Sequence, residues 1–210
     1  WFGTIGGGVY VFDREVFTNI TEMEGLADDR VTCLYEDTAG MIWFGTTNGL
    51  SRHDPSISKI PNRKSIRNFN TQDGMLNADI NAMVQDDNGI YWLGTRGQAM
   101  TFDGKKFSEI KGPLGKIFTN VRTIIKDNKD RMWFGGNDGL WSTDEKVFTK
   151  HMDNFVGYLY KDSKGNILCS AVAPNSHDWN LYRYNKTNLY DIKVEPDLIK
   201  EQKGQLFGIV

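Results

Sequence analysis

One tetrapeptide recurs along the chain: Trp1-Phe-Gly-Thr4, Trp43-Phe-Gly-Thr46, Trp92-Leu-Gly-Thr95 and Trp133-Phe-Gly-Gly136, at spacings of 42, 49 and 41 residues. A period near 40 makes the folding unit a supersecondary module, which cannot bury its apolar face alone and has to stack on its neighbours. An acid stands six residues before each of the last three Trp, in Asp37-Thr-Ala-Gly40, Asp86-Asp-Asn-Gly89 and Asp127-Asn-Lys-Asp130. The same frame finds two weaker copies, Asp162-Ser-Lys-Gly165 leading to Leu168 and Glu201-Gln-Lys-Gly204 leading to Phe207. A third register mark is Asp13, Asp54, Asp103, Asp144 and Asn185. It is followed four residues later by Phe17, Phe107, Phe148 and Leu189 in every copy but the second.

Each copy reads as four short strands joined by turns. Val31-Thr-Cys-Leu-Tyr35 and Val121-Arg-Thr-Ile-Ile125 are first strands, and Asp-x-x-Gly is a tight turn whose carboxylate accepts from backbone N–H groups. The Trp-Phe-Gly-Thr segment is the second strand; Asn48-Gly49 or Asp138-Gly139 turns into a third, and the acid at the last register mark turns into a fourth. No stretch between these turns sustains a 3.6-residue period, which excludes helix. The prediction is an all-β chain, a β-propeller of four-stranded antiparallel blades. About five repeats form one region over 1–210, beginning near residues 1, 31, 80, 121, 155 and 197. Trp43, Trp92 and Trp133 are expected to wedge between blades as core, with the Gly two residues later leaving room for the neighbour's backbone.

Composition agrees: 39% hydrophobic and 12% aromatic residues exclude disorder, and 22 Gly against 5 Pro suit many tight turns. A net charge of −2 excludes a basic nucleic-acid footprint, so no nucleic-acid partner is expected. No apolar run approaches the roughly 18 residues of a membrane span. Cys33 and Cys169 lack CxxC spacing and read first as small buried hydrophobes, second as a disulfide. The first residue is Trp, which reads as a processed or excerpted chain with any targeting signal out of view.

The pattern Asp-x-x-Gly-x-x-Trp-Phe-Gly-Thr-x-x-Gly-Leu, complete in Asp37 to Leu50, closely resembles the two-component regulator propeller repeat. The resemblance covers essentially the whole chain, strong around Trp43 and Trp133, fair around Trp92 and weak after residue 160, where Leu168 and Ser170 replace Trp and Gly. It implies the periplasmic or extracellular sensor region of a bacterial hybrid two-component receptor, non-catalytic in itself, taking a small molecule or carbohydrate fragment as ligand, with a homodimer in the parent receptor. Kinase, receiver and helix-turn-helix motifs are absent from the sequence, so this chain is expected to be an input portion. It opens and closes on a second strand, which leaves two readings: five blades closed by a modified seam, or an excerpt of a larger, commonly seven-bladed ring. The excerpt is the favoured one.

Ligands of a propeller gather where the connections from fourth to first strand meet the turns from second to third. Arg30, Asp79 and Asn120 each precede a first strand, Arg122 lies one residue inside, and Asn48, Arg96 and Asn137 sit in the second-to-third turns. One such turn is longer by six residues and brings Asn175, His177, Asp178 and Trp179 to the same face, an aromatic ring beside amide, imidazole and carboxylate. Arg96 and Arg122 suit bidentate contacts to a carboxylate or sulfate. The basic insertion Ser58 to Arg67 should lie on the opposite face and reads as a solvated loop or a neighbour-domain contact. Enzyme readings are weaker. The carboxylates at 37, 86, 127 and 162 are periodic turn residues, and the Asp-rich turns do not continue as EF-hand loops. His53, His151 and His177 lack zinc spacing, and Gly6-Gly-Gly8 lacks the Lys of a phosphate loop, so no cofactor or metal is expected. A propeller lyase or hydrolase using His177 remains a third reading, after ligand sensor and protein-interaction scaffold.

Overall fold

The computed structural model describes residues 1–57, 64–144, 147–184 and 189–191. These fall into two compact units, divided after residue 120. In the first unit, β1 (Phe2–Gly3), β2 (Val9–Phe12) and β3 (Phe17–Ile20) form a three-stranded sheet. A four-stranded sheet of β4 (Val31–Glu36), β5 (Ile42–Thr46), β6 (Gly49–His53) and β7 (Ile66–Phe69) follows. The next is built of β8 (Ile80–Gln85), β9 (Tyr91–Thr95), β10 (Ala99–Phe102) and β11 (Phe107–Glu109). The second unit holds β12 (Val121–Lys126), β13 (Met132–Gly136), β14 (Gly139–Thr143) and β15 (Phe148–Met152) in one sheet. Its other sheet is β16 (Val156–Lys161), β17 (Ile167–Val172), β18 (Trp179–Tyr184) and β19 (Leu189–Asp191). Every sheet is an antiparallel meander in chain order, the pattern of a propeller blade. The last repeat expected near 197 and residues 58–63 of the basic insertion lie outside the described residues.

The turn between first and second strands is built the same way each time. Asp37 Oδ1 accepts the backbone N–H groups of Ala39 (2.9 Å) and Met41 (3.0 Å), while Oδ2 accepts the indole N–H of Trp43 at 2.7 Å. Asp86 binds Asn88, Ile90 and Trp92 in the same manner, and Asp127 binds Lys129, Arg131 and Trp133. The indole is thereby buried without an orphaned donor, which in an apolar core would cost on the order of 1–3 kcal/mol. Where Leu168 replaces Trp, the Asn166 amide donates to Asp162 Oδ2 at 2.7 Å and takes the indole's place.

Trp43 and Trp133 are packed as expected. Trp43 lies 4.7 Å from Tyr91, 5.8 Å from Phe69 and 6.3 Å from Phe102 between ring centroids; Trp133 lies 4.9 Å from Tyr184. The glycine that follows needs correcting. A Cβ on Gly45 would meet Cys33 Sγ of its own sheet and Ile80 Cγ2 of the next at 2.8 Å; one on Gly135 would meet Val156 Cγ1 at 2.6 Å. The space is reserved for first-strand side chains, not for the neighbour's backbone. Both cysteines are free thiols, as the first reading had it, and burial pushes each up to about 12.

The three-stranded sheet leaves one face uncovered. Phe2, Phe12 and Phe17 occupy the register positions of Leu93, Phe102 and Phe107, yet they are about half exposed where the latter are buried. Phe102→Ala is therefore expected to cost about 3–5 kcal/mol by chemical denaturation, and Phe12→Ala less than about 1 kcal/mol.

His53 fills the same register position in β6, buried between Trp1 (5.3 Å) and Phe44 (6.3 Å), and its Nδ1 has no hydrogen-bond partner. Burial holds its pKa below the ordinary imidazole value against the opposing pull of Asp54. The neutral ring is favoured in the folded chain, so its contribution is complete above about 6.5 and is lost as pH falls through the lowered folded value. His53→Phe should raise stability by roughly 1 kcal/mol and flatten the decline of Tm between pH 7 and 5.

Candidate functional site

The end of each sheet where the first strand begins collects the connection from the preceding sheet and the turn between second and third strands. In the first unit two of these connections are single 3-10 turns closed by capping boxes. Glu24 takes the Thr21 N–H at 2.8 Å, and Asp73 takes the Asn70 N–H at 2.9 Å. These turns fix the residues just before the strands. The Asp29 carbonyl then accepts from Gly6 and Gly8, the Ala78 carbonyl from Gly49 at 2.8 Å, and the Gly97 carbonyl from Asn120 at 2.8 Å.

The arginines expected here are present but already paired. Arg30 Nε and Nη2 donate to the two oxygens of Asp28 at 3.1 and 3.0 Å, and Arg96 Nε donates to Asp79 Oδ2 at 3.0 Å. The hydrogen bond from Arg30, opposed by partial burial, holds Asp28 below the usual carboxylate range. Asp28 in turn raises Arg30, with a further push from Asp79. Asp28, Arg30, Asp79 and Arg96 thus form an alternating charge cluster over the second and third sheets, with both guanidinium groups more than half exposed. Asp79 Oδ1 is enclosed and has no partner. Asn81 Nδ2 donates to Asn120 Oδ1 at 3.3 Å at the edge of the cluster, whereas Asn48 stands exposed at its turn tip. Asp28 is the residue missed by sequence reading; the Asp-x-Arg spacing before the strand is the signal that would have found it.

In all four four-stranded sheets the first strand carries a bulge one residue in, with register shifts between Val31 and Cys33, Ile80 and Ala82, Val121 and Thr123, and Val156 and Tyr158. The bulged residues are Thr32, Asn81, Arg122 and Gly157, freed from the alternation of the strand. Thr32 Oγ1 reaches the carbonyl of Ile80 at the start of the next first strand. In the second unit Arg122 is half-buried and Asn137 exposed. The long turn is closed by Ala173 N–H to the Asp178 carbonyl at 2.8 Å and by Ser176 Oγ to Asp178 Oδ2 at 2.6 Å. It leaves Asn175 and His177 exposed and sets Trp179 opposite Val172. The Trp179 ring lies directly over Gly157, where a Cβ would come within 2.6 and 2.7 Å of its ring carbons, and Phe155 meets it edge-on at 5.7 Å. This seat for the indole was not visible in the sequence.

Among the described residues, the repeat carboxylates Asp37, Asp86, Asp127 and Asp162 are each engaged by their own turns. Burial alone would raise Asp37, but hydrogen bonds from Trp43, Tyr91, Met41 and Ala39 outweigh it and hold the group below the carboxylate range; Asp127 is held down in the same way. Ser142 Oγ and His151 Nε2 lie 2.9 Å apart, but Ser142 is buried and the imidazole is stacked on Trp133 at 4.7 Å. Among the described residues no group of three or more His, Cys, Asp or Glu is placed to hold a metal.

Bracketed antiparallel blades with a variable face at the start of each first strand define a β-propeller protein of the repeat type. Residues 25–48 and 74–97 match the family described as two component regulator propeller, the repeat that the sequence resembles. Histidine kinase P4 of Formosa agariphila is 28% identical over 177 residues, covering 78% of this chain and 13% of that protein. The extracellular domain of one Bacteroides thetaiotaomicron hybrid two component system superposes with TM-score 0.72 at 21% identity, over 91% of this chain and 27% of that one. A second from that organism gives 0.65 at 17% identity, covering 87% and 25%. Virginiamycin B lyase from Staphylococcus aureus gives 0.66 at 14% identity, covering 91% and 65%. The chain thus spans about an eighth of the kinase and about a quarter of the two extracellular-domain chains.

Scaffold and site carboxylates should separate on mutation. Asp37→Ala strands the indole, the Tyr91 hydroxyl (2.7 Å from Asp37) and two backbone N–H groups, for an expected loss of about 3 kcal/mol or more. That penalty shrinks in acid, because the contribution of Asp37 is complete above about 3.9 and disappears as pH falls through its lowered folded value. Asp79→Ala breaks a pair exposed on its Arg96 side and removes an enclosed oxygen that has no partner, and should cost less than about 1 kcal/mol in the same denaturation experiment.

Proposed function

We propose that this chain is a non-catalytic, ligand-sensing input segment of a bacterial two-component receptor, exposed in the periplasm or outside the cell, and that it binds an oligosaccharide fragment at the start of the first strands. One observation carries the reading. The repeated carboxylates are committed to the turns and indoles, while the positions that vary from blade to blade hold arginines, amides and an aromatic ring, the donor and stacking groups that suit a hydroxylated ring. The names of the histidine kinase and of the two hybrid-system domains agree with a sensory role. Signalling would follow from differential affinity: ligand favours one arrangement of the propeller, or of its homodimer in the parent receptor, over another, and the output region reads that shift.

The second reading, a scaffold for a protein partner, draws on a different observation. The connections in the first unit expose Met23, Leu76, Leu114 and Ile117, and Leu114 is fully exposed with a φ of 56°. Calorimetry against neutral and acidic oligosaccharides separates the two. Saturable binding of at least one oligosaccharide, recovered uncleaved, is the expected result. No binding across the panel overturns the sensor reading in favour of the scaffold, and cleavage of the glycan overturns the non-catalytic one.

A further inference from the structure

The bulged position of the first strand holds a side chain in three sheets and none in the fourth. Gly157 is the exception, and the reason is the Trp179 ring, which occupies the volume a side chain would take. That ring reaches its seat because the β17–β18 turn is lengthened to Ala173–Asp178, and the turn is held in shape by its own hydrogen bonds. Phe155, edge-on at 5.7 Å, supports it on one side, and Trp179 remains half-buried, so part of the indole is open to solvent.

The neighbouring bulge in the same unit is Arg122, on β12, which packs beside β16. In the first unit the side chain at this register position reaches toward the start of the following first strand: the Thr32 hydroxyl meets the Ile80 carbonyl, and the Asn81 amide meets Asn120. The same register position sets Arg122 on the strand that neighbours β16, near whose start Gly157 carries the Trp179 ring. Arg30 and Arg96 of the first unit are each held by an aspartate, and no ion pair engages Arg122 among the described residues.

We infer that Trp179, seated on Gly157, and Arg122 together form a subsite for a saturated ring bearing an anionic group, a uronic-acid-type sugar residue. Its C–H face lies on the indole and its carboxylate meets the guanidinium. The inference rests on the ligand-sensing reading and narrows it to one position and one ligand class. The aromatic face supplies stacking that tolerates either sugar face, and the planar fork of Arg122 supplies the preference for a carboxylate.

The test is calorimetry on the whole chain with an oligogalacturonate and a matched neutral oligogalactoside. The uronate should bind more tightly. Trp179→Ala should weaken it about 10-fold while Trp179→Phe stays within about 3-fold. Arg122→Gln should bring the uronate down to the affinity of the neutral sugar. Gly157→Ala displaces the ring without deleting it and should reproduce the Trp179→Ala loss. If Trp179→Ala fails to fold, Arg122→Gln carries the test, since it changes a single half-buried side chain outside the repeat frame. Uronate affinity unchanged in Arg122→Gln and Trp179→Ala alike, and equally strong in Gly157→Ala, overturns the subsite while leaving oligosaccharide sensing intact. Equal binding of the two sugars to the unmodified chain overturns the anionic assignment. Absence of binding by either sugar overturns the subsite; only failure across a wider glycan panel overturns the sensor reading as well.

Discussion

The structure depends on one carboxylate per blade. Asp37, Asp86 and Asp127 each close the turn between first and second strands with one oxygen and hold the indole of the following strand with the other. A Trp wedged into an interblade core brings a large apolar area and a single donor, and that donor must be satisfied where water is absent. Placing the acceptor in the turn ties the local geometry of the chain to the packing of sheet on sheet. At Asp37 the tie extends further: the Tyr91 hydroxyl of the next sheet donates to the same oxygen, and Thr38 engages Gln85. Local turn chemistry and long-range packing therefore favour the same arrangement, the consistency that gives a chain one fold.

Much of this architecture was legible from residue types alone. The Trp-Phe-Gly-Thr period located the second strands, the Asp-x-x-Gly turns located the ends of the first, and the wedge role of the indoles followed from their size. What was not legible was the pairing of the two motifs. A spacing of six residues between acid and Trp shows no obvious period of helix or strand, and only the closed turn brings Oδ2 under the indole. The glycine after each Trp was misassigned for a related reason: sequence cannot say whether a small residue yields to a neighbour's backbone or, as at Gly45 and Gly135, to the side chains of Ile80 and Val156.

The candidate site was legible in position but not in partnership. Arg30, Asp79, Arg96 and Asn120 do assemble at the start of the first strands, and Trp179 does reach that end of its own sheet. Asp28 was overlooked because it sits one residue outside the repeat frame, and Gly157 because a glycine in a strand reads as a gap in packing until the ring that fills it is known. For Gly157 the missing information is a tertiary neighbour more than 20 residues along the chain, which no local pattern records, whereas the partner of Asp28 is Arg30, two residues on.

The bulge in every first strand has a consequence for how such a chain diversifies. One residue per blade is excused from the pleat, so its identity is decoupled from the ladder on either side. Thr, Asn, Arg and Gly occupy it here with the same flanking register in each sheet. The blade behaves as a fixed chassis with an interchangeable socket. Side-chain identity can drift at these sockets, and at the turn that overhangs one of them, without renegotiating the core.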